Sequence, residues 1–214
     1  MSTFRRRLMM SFKKPTGRLP SEYQEVEYIK NEIGAYINTG YYLTGKCDIV
    51  IDFIPIKSSY SDNYGNALGY YHGSSYSDNF NLNIPVKISS NPVTPTVRFD
   101  RQSYNWSSNY LISGNRYTIT FGKSGIIVNG TSRKTFNSYD FTCSDACYIF
   151  KANGSGTGIE QKIYSFKIYK NNVLEMDLVP CYRKSDTEIG FYDIVNNQFY
   201  INAGTETFTK GADV

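Results

Sequence analysis

Acidic residues that share one face of a strand come closest to a catalytic pattern in this sequence. A retaining glycoside hydrolase needs two carboxyl groups about 5–5.5 Å apart on either side of the bond it breaks. Acids two positions apart on a β-strand lie on one face of the sheet. Pairs spaced by two or by four positions are Glu25 with Glu27, Glu175 with Asp177, and Asp48 with Asp52. Because each pair alternates with apolar residues, the pattern indicates the solvent face of half-buried strands, and we predict no catalytic residue.

His72 is the only histidine of the chain and lies in Tyr71-His72-Gly73-Ser74-Ser75. Nucleophilic catalysis would require a serine or cysteine within hydrogen-bond reach of the imidazole and a third group that orients the ring. No nucleophile motif accompanies His72, so the sequence favours a solvated histidine at a turn. We therefore predict that the protein is not an enzyme.

Residues able to bind metals are present, but their spacing matches no metal site. Calcium needs several oxygen ligands in converging loops, and the best sources are Asp62, Asn63, Asp78 and Asn79. A zinc site of four cysteines usually shows two closely spaced pairs, whereas the cysteines here are Cys47, Cys143, Cys147 and Cys181. We expect no metal or cofactor, and we predict four reduced thiols that act as small buried apolar side chains.

A glycan-binding site is indicated by aromatic residues in polar, loop-like segments. One such segment, Ser58-Ser59-Tyr60-Ser61-Asp62-Asn63, recurs as Ser74-Ser75-Tyr76-Ser77-Asp78-Asn79, and the two copies are expected at opposite ends of a sheet. Exposed rings beside Asn, Asp or Ser suit a sugar, and the candidates are Tyr60, Asp62, Tyr76, Asp78, Tyr104 and Trp106. Each part of this interpretation has an alternative. The repeated segment could be two similar turns, because Ser, Asp and Asn bond their own backbone. Trp106 could belong to the core instead of a binding site.

The first 18 residues carry six positive charges and no acid, from Arg5, Arg6, Arg7, Lys13, Lys14 and Arg18. We assign residues 1–20 to a basic arm and residues 21–214 to one domain. The arm is a solvated tail, a nucleic-acid-binding segment or a protein-docking segment, and Phe4 to Phe12 could form a short helix. Apolar residues among the charges favour docking on a protein, through Phe4, Arg5, Arg6, Arg7, Leu8, Met9 and Met10.

The remaining chain is nearly neutral, since it contains the other 17 of the 23 basic residues and all 19 acidic residues. A nucleic-acid-binding body would need a basic face of its own, so nucleic acid is not an expected partner. No stretch has the length of a membrane-spanning helix. The apolar run Leu8-Met9-Met10 is too short for a secretory signal, so we expect synthesis in a cytoplasm without export through a signal peptide.

The secondary structure predicted from the sequence is all β. Two hairpins are predicted around Gly122-Lys123-Ser124-Gly125 and Asn171-Asn172, and Val26, Tyr28 and Lys30 are expected on one face of an early strand. Roughly 12 short strands without a long helix indicate a two-sheet antiparallel sandwich. The predicted inward-facing residues are Ile49, Ile51, Phe53, Ile119, Phe121, Phe166, Ile168, Met176 and Leu178.

Two stretches of the chain resemble a known family. The first is Leu19-Pro20-Ser21-Glu22-Tyr23-Gln24-Glu25-Val26-Glu27-Tyr28-Ile29, followed by Tyr36-Ile37-Asn38-Thr39-Gly40. The second runs from Lys162-Ile163-Tyr164-Ser165-Phe166 through Leu178-Val179-Pro180-Cys181-Tyr182 and Gly190-Phe191-Tyr192-Asp193 to Asn202-Ala203-Gly204-Thr205. Together they resemble the concanavalin A-like (laminin-G-like) domains of gut Bacteroidetes and their phages over about residues 19–208.

This resemblance implies a two-sheet jelly roll and several functions. Phe4-Arg5-Arg6-Arg7-Leu8-Met9-Met10 resembles leaders on virion proteins of crAss-like phages, in which such a domain decorates the capsid or forms a head fibre. The implied function is a virion structural protein docked through residues 1–18 on a capsid or other virion protein, with glycan adhesion and self-association open. A stand-alone lectin-like module is the alternative, and a glycoside hydrolase is a third possibility.

Overall fold

The computed structural model describes residues 18–58, 64–73, 78–85, 96–105, 111–136, 140–154 and 158–214. This part of the chain contains no helix, and hence none long and apolar enough to cross a membrane. Its eighteen strands are β1 (Tyr23–Glu25), β2 (Ile29–Asn31), β3 (Ile37–Asn38), β4 (Cys47–Ser58), β5 (Tyr64–Tyr70), β6 (Asn79–Pro85), β7 (Thr96–Asp100), β8 (Gln102–Asn105), β9 (Tyr117–Gly122), β10 (Gly125–Val128), β11 (Thr131–Lys134), β12 (Tyr148–Ile149), β13 (Ala152–Asn153), β14 (Ile159–Lys170), β15 (Val173–Arg183), β16 (Ile189–Asp193), β17 (Gln198–Ile201) and β18 (Phe208–Lys210).

The strands form two sheets that share one core. The larger sheet has eleven strands in the order β11-β10-β9-β4-β14-β15-β16-β17, with β1 beside β15 and β2 between β14 and β18. The smaller sheet has seven strands in the order β3-β12-β5-β6-β7-β8, and β13 adds to β5 in parallel. All other pairs of named strands are antiparallel. The predicted all-β, antiparallel architecture is therefore confirmed.

Both predicted hairpins are confirmed, and their turn residues explain them. Gly122 and Gly125 close the β9–β10 hairpin with φ angles of 136° and 91°, which side chains with a Cβ rarely adopt. Asn171 and Asn172 form the two-residue turn between β14 and β15, with φ angles of 51° and 66°. Asparagine tolerates this left-handed conformation, which also matches the twist of a hairpin.

The core contains every residue that was predicted to face inward. Eight of the nine have no exposed surface, and Met176 has 2%. Phe80 and Phe99 meet edge-on at 5.1 Å between ring centroids, and Phe80 of the smaller sheet lies 5.5 Å from Phe121 of the larger one. The four cysteines are buried and free, as predicted.

One predicted strand is interrupted. The alternation around Val26 predicted a continuous strand with Ile29 on the opposite face, but Val26 and Ile29 are both buried. β1 pairs with β15, whereas β2 pairs with β14 and β18. The chain changes partner strands between Glu25 and Ile29, and this break shifts the inward face by one residue. The estimate of roughly 12 strands was also too low, because it missed strands of two or three residues.

Candidate functional site

Most of the residues predicted for partner or glycan binding lie outside the described part of the chain. These are Phe4, Arg5, Arg6, Arg7, Leu8, Met9, Met10, Tyr60, Asp62, Tyr76 and Trp106. The two copies of the repeated segment precede β5 and β6, which start at opposite ends of the smaller sheet. Asp78 and Tyr104 are the two glycan candidates that the structure describes.

Tyr104 lies on the edge strand β8 and is half-buried against the core. Its hydroxyl donates a hydrogen bond to the carbonyl of Arg133 at 3.2 Å, and the Lys134 ammonium lies 5.5 Å from its ring centroid. Arg133 belongs to β11, so Tyr104 links the edge strands of the two sheets. Asp78 precedes β6 by one residue, two strands away from Tyr104, so the structure does not bring the two together.

Asp78 is the centre of a hydrogen-bonded group that we call the Asp78 cluster: Tyr70, His72, Asp78 and Ser144. One carboxylate oxygen lies 2.9 Å from His72 Nδ1. The other accepts hydrogen bonds from the Ser144 hydroxyl at 2.7 Å and the Ser144 backbone N–H at 3.1 Å. The Tyr70 hydroxyl is 2.7 Å from Ser144 Oγ and donates to it, because the serine proton is directed at Asp78. The cluster fastens the chain between β5 and β6 to the segment before β12.

The hydrogen bonds of the cluster change the acidity of its members. Burial raises the pKa of Asp78, but the hydrogen bonds from Ser144 and His72 outweigh it and leave that pKa below its usual value. Burial raises the pKa of Tyr70, although its hydrogen bond with Ser144 acts in the opposite direction. Asp78 is therefore a carboxylate, and Tyr70 a neutral phenol, at neutral pH.

The order of groups in the Asp78 cluster differs from that of a nucleophilic triad. In a triad the imidazole lies between the serine and the acid and takes the serine proton. Here Asp78 lies between His72 and Ser144, and the serine proton is directed at the acid. Ser144 therefore has no imidazole base in this arrangement. The predicted solvent exposure of His72 is confirmed, but its ring is also paired with Asp78.

Three of the acids that share strand faces, Asp48, Asp52 and Asp177, are engaged by neighbouring side chains. Asp48 accepts hydrogen bonds from the Ser124 N–H at 2.7 Å and the Ser124 hydroxyl at 2.8 Å. Asp177 pairs with Lys167 at 2.5 Å, and both oxygens of Asp52 bind Arg116. The prediction that these acids face solvent was wrong for Asp48 and Asp177, which are buried. Burial of these two carboxylates is tolerated because Ser124 satisfies the hydrogen bonds of Asp48 and Lys167 neutralises the charge of Asp177.

A second polar group lies on the smaller sheet, on the side away from the core. In β6, Asn81 and Asn83 alternate with Phe80 and Leu82, which belong to the core. Asn66 of β5 is the register partner of Asn83. We call Asn66, Asn81 and Asn83 the asparagine face. All three are buried, and Asn81 has no exposed surface.

The asparagine face contains acceptor atoms without donors. Asn81 Nδ2 donates to Asn66 Oδ1 at 2.5 Å, which orients the Asn81 amide. Within the described residues, the Oδ1 atoms of Asn81 and Asn83 are buried and have no hydrogen-bond partner. On the adjacent strand, Thr96 is the register partner of Asn83, and Arg98 that of Asn81. The Arg98 guanidinium is 4.9 Å from the centroid of the Tyr71 ring.

Sequence reasoning missed the asparagine face, although a signal was present. Asn79-Phe80-Asn81-Leu82-Asn83-Ile84 alternates asparagine with large apolar residues at the period of a strand. A solvated face would show mixed polar residues rather than one repeated amide.

Comparison with known proteins adds no relative. No family model, no curated protein and no solved structure matches the chain. Among the residues that the structure describes, no group of three or more His, Cys, Asp or Glu side chains is placed to hold a metal ion.

Proposed function

We propose that this protein is a non-enzymatic virion component with a concanavalin A-like jelly-roll domain that binds glycans and is attached through its N-terminal arm. Capsid decoration or a head fibre is the role that fits the resemblance over about residues 19–208. The two antiparallel sheets around one core are compatible with such a domain. The basic and apolar residues of the arm support a protein partner.

The resemblance carries the glycan-binding part, and the buried amides of the asparagine face are the structural feature that accompanies it. Buried amide oxygens without donors are uncommon in native proteins, and each calls for an explanation. Sugar hydroxyl groups are donors of the required kind, and amide side chains are suited to them. Asp78, the other glycan candidate near β6, lies at the start of that strand. Both of its carboxylate oxygens are already hydrogen-bonded, to His72 and to Ser144.

The positions of Arg18, which follows the arm, and of the asparagine face are compatible with attachment through one sheet and display of the other. The Arg18 guanidinium binds the Glu25 carboxylate, and β1 pairs with β15 of the larger sheet. The asparagine face belongs to the smaller sheet and is directed away from the shared core. A domain held at the larger sheet would direct the smaller sheet away from the point of attachment.

The occupied acids support binding rather than hydrolysis. Asp52 and Asp177 are engaged by cationic side chains, and an acid in such a pair is a poor proton donor because its ionised form is stabilised. A stand-alone lectin remains the second candidate function, because the asparagine face needs no particle in order to bind a sugar.

Two measurements test the proposal. Particles encoded by the same genome should contain the chain at a fixed copy number when purified and analysed by mass spectrometry. The purified full-length chain should bind neutral glycans on an array and release no reducing sugar from them. Glycan binding without the chain in particles would favour the stand-alone lectin, and sugar release would show that the protein is an enzyme.

A further inference from the structure

We infer that a cavity between two loops of the larger sheet binds a compact organic cation, whose N–H groups donate to the Glu188 carboxylate. One loop, residues 184–188, joins β15 to β16, and the other, residues 202–207, joins β17 to β18. We call the space between them the loop cavity. It belongs to the larger sheet, whereas the asparagine face belongs to the smaller one. The inference therefore concerns a second site and does not depend on glycan binding.

The loop cavity opens to solvent above an apolar floor. Its volume is about 280 Å³, just below the range of about 300–1,000 Å³ that is common for small-molecule sites. Asp186, Thr187 and Thr207 are exposed at its rim. Ile189 and Phe208 also line it and pack against the core. A ligand of this cavity is therefore small, with a carbon portion against the floor and a polar portion near the rim.

Asp186 is engaged within its own loop and needs no ligand. The Arg183 guanidinium donates to both carboxylate oxygens of Asp186, at 2.6 Å for the shortest pair of atoms. The Glu188 N–H donates to Asp186 Oδ1 at 3.2 Å. The bonds from Arg183 and from Glu188 hold the pKa of Asp186 below its usual value. Arg183 and Asp186 are therefore both ionised at neutral pH, and their charges cancel.

The Glu188 carboxylate is the uncompensated charge of the loop cavity. Glu188 is half-buried, and within the described part of the chain its carboxylate forms no hydrogen bond or ion pair. Its backbone is fixed, because its N–H binds Asp186 and its carbonyl accepts the Arg183 N–H at 2.9 Å. The nearby Lys184 ammonium donates instead to the Ser21 carbonyl at 2.8 Å. A fixed carboxylate without a cation favours a positively charged ligand.

The other polar side chains of the loop cavity already donate their protons to the protein. The Thr187 hydroxyl donates to the Asp186 carbonyl at 2.6 Å, and the Thr207 hydroxyl donates to the Glu32 carboxylate at 2.9 Å. The Asn202 amide donates to a backbone carbonyl of its own loop. An anion would find no hydroxyl proton to accept here, whereas the two hydroxyl oxygens can still accept from a ligand. The ligand must therefore supply the donors as well as the positive charge.

The chemical class that meets these requirements is an ammonium or guanidinium group on a short carbon stem. Both groups carry several N–H donors, and the bonds that they form with a carboxylate are charge-assisted. A quaternary ammonium ion has no N–H donor and is usually held by a cage of aromatic rings, whereas Phe208 is the one aromatic residue among those that line the cavity. A metal ion is disfavoured, because the described residues contain no group of three or more side chains placed to hold one.

The experiment titrates the isotope-labelled full-length protein with four small probes and follows its NMR spectrum. The probes are n-butylammonium, n-butylguanidinium, tetramethylammonium and butyrate, and the proteins are wild type, Glu188→Gln and Asp140→Asn. Glu188→Gln removes the charge and keeps the size of the side chain. Asp140→Asn is the matched control, because Asp140 pairs with Lys46 beside the β14–β15 turn, at the opposite end of the larger sheet.

We expect n-butylammonium and n-butylguanidinium to shift the signals of the loop-cavity residues in wild type and Asp140→Asn alike. Both cations should bind Glu188→Gln about fivefold to tenfold more weakly, because a charge-assisted bond at a half-buried site is lost. Their binding to wild type should weaken as salt is added. Glu188→Gln should keep its Tm within about 3 °C of wild type, since the carboxylate has no partner in the protein to lose.

Each contrary result overturns a defined statement. If neither cation shifts the loop-cavity signals of wild type, the cavity is not a site for this class of ligand. Equal affinity of wild type and Glu188→Gln would show that Glu188 is not the binding group. Tetramethylammonium that binds as well as n-butylammonium would refute the need for N–H donors, and binding of butyrate would refute the preference for cations. A marked fall in Tm for Glu188→Gln would show that the carboxylate serves the fold. None of these results bears on the proposed glycan binding.

Discussion

Buried amide side chains serve opposite purposes at different positions of this protein. Asn31 donates to the Ile159 carbonyl at 2.9 Å and accepts from the Gln161 N–H at 2.8 Å. Both partners are backbone groups at the start of β14, next to the register shift between Glu160 and Gln161. Asn83, by contrast, has an unmatched acceptor. Asparagine thus stabilises the fold at position 31, whereas at position 83 its unmatched acceptor lowers the stability of the fold.

Asn31→Val is predicted to destabilise the protein by about 2–4 kcal/mol. The substitution leaves a buried carbonyl and a buried N–H without partners, and each such group costs about 1–3 kcal/mol. Urea unfolding followed by fluorescence would measure the loss. Asn83→Val is the matched control and should not be destabilised. Equal stability of the two variants would mean that the Asn31 bonds contribute nothing.

Asp78→Asn is predicted to cost about 1–2 kcal/mol at neutral pH and less in acid. The pKa of Asp78 is lowered in the folded protein, so its contribution is complete above the ordinary carboxyl pKa of about 3.9. It is lost as the pH falls through the lowered folded value. Between pH 7 and pH 2, the unfolding free energies of wild type and variant should therefore converge as the pH falls below the lowered pKa of Asp78.

The exposed acid Asp140 provides the control for this pH dependence. Its carboxylate is 3.3 Å from the Lys46 ammonium and is almost wholly solvated. Because exposed pairs contribute little, Asp140→Asn should leave stability nearly unchanged across the same range. A gap between wild type and Asp78→Asn that stays constant down to pH 2 would contradict the role of the charged carboxylate.

The cysteines are predicted to be unreactive in the native protein. Burial raises the pKa of Cys181 to about 12 and also raises those of Cys143 and Cys147. Since the thiolate is the reactive form, a thiol reagent should label the folded protein slowly. Under denaturing, non-reducing conditions it should find four thiols. A count of two or none would show that disulfides form.

At the scale of elements, local sequence patterns predicted what depends on local structure. The β9–β10 and β14–β15 hairpins followed from alternation and from glycine or asparagine at the turns. The break between β1 and β2 could not be predicted, because it results from a change of partner strand. The alternation in β6 is visible in the sequence, but the burial of its asparagine side depends on tertiary structure.

Phe166→Ala is predicted to lower the free energy of unfolding by about 3–5 kcal/mol. The ring is packed in the core against the middle of the larger sheet, and its removal would leave a cavity. Phe166 is fully buried in β14 and pairs with Ile51 of β4 and Leu178 of β15. Val173→Ala is the control, since Val173 is exposed at the adjoining turn and should change stability by less than about 0.5 kcal/mol. Chemical denaturation of both variants would test this. A loss well below about 3 kcal/mol for Phe166→Ala would mean that neighbouring side chains collapse into the space.

At the scale of the whole molecule, two sheets of unequal size surround one core. The first strand of the described chain, β1, belongs to the larger sheet, whereas the asparagine face belongs to the smaller sheet. The sequence predicted the class of architecture because strand periodicity is a local property. It could not predict which face would retain unmatched acceptors, since those depend on how β5 and β6 are aligned.

The arm is predicted to be required for entry into virions but not for folding. Removing residues 1–17 keeps Arg18 and its bond with Glu25, and the described strands should retain the unfolding free energy of the full chain. Docking of the arm must overcome the entropy lost when a peptide segment is held in one conformation on a partner. We expect replacement of Arg5, Arg6 and Arg7 by Gln to weaken incorporation most at low salt, because exposed charge pairs are screened as salt rises. Leu8→Ser with Met9→Ser should weaken it at every salt concentration, whereas Lys13→Gln with Lys14→Gln is the control that removes charge away from the apolar run.

Copy number in purified particles is the measurement, and a normal copy number for the truncated chain would refute anchoring and favour the stand-alone lectin.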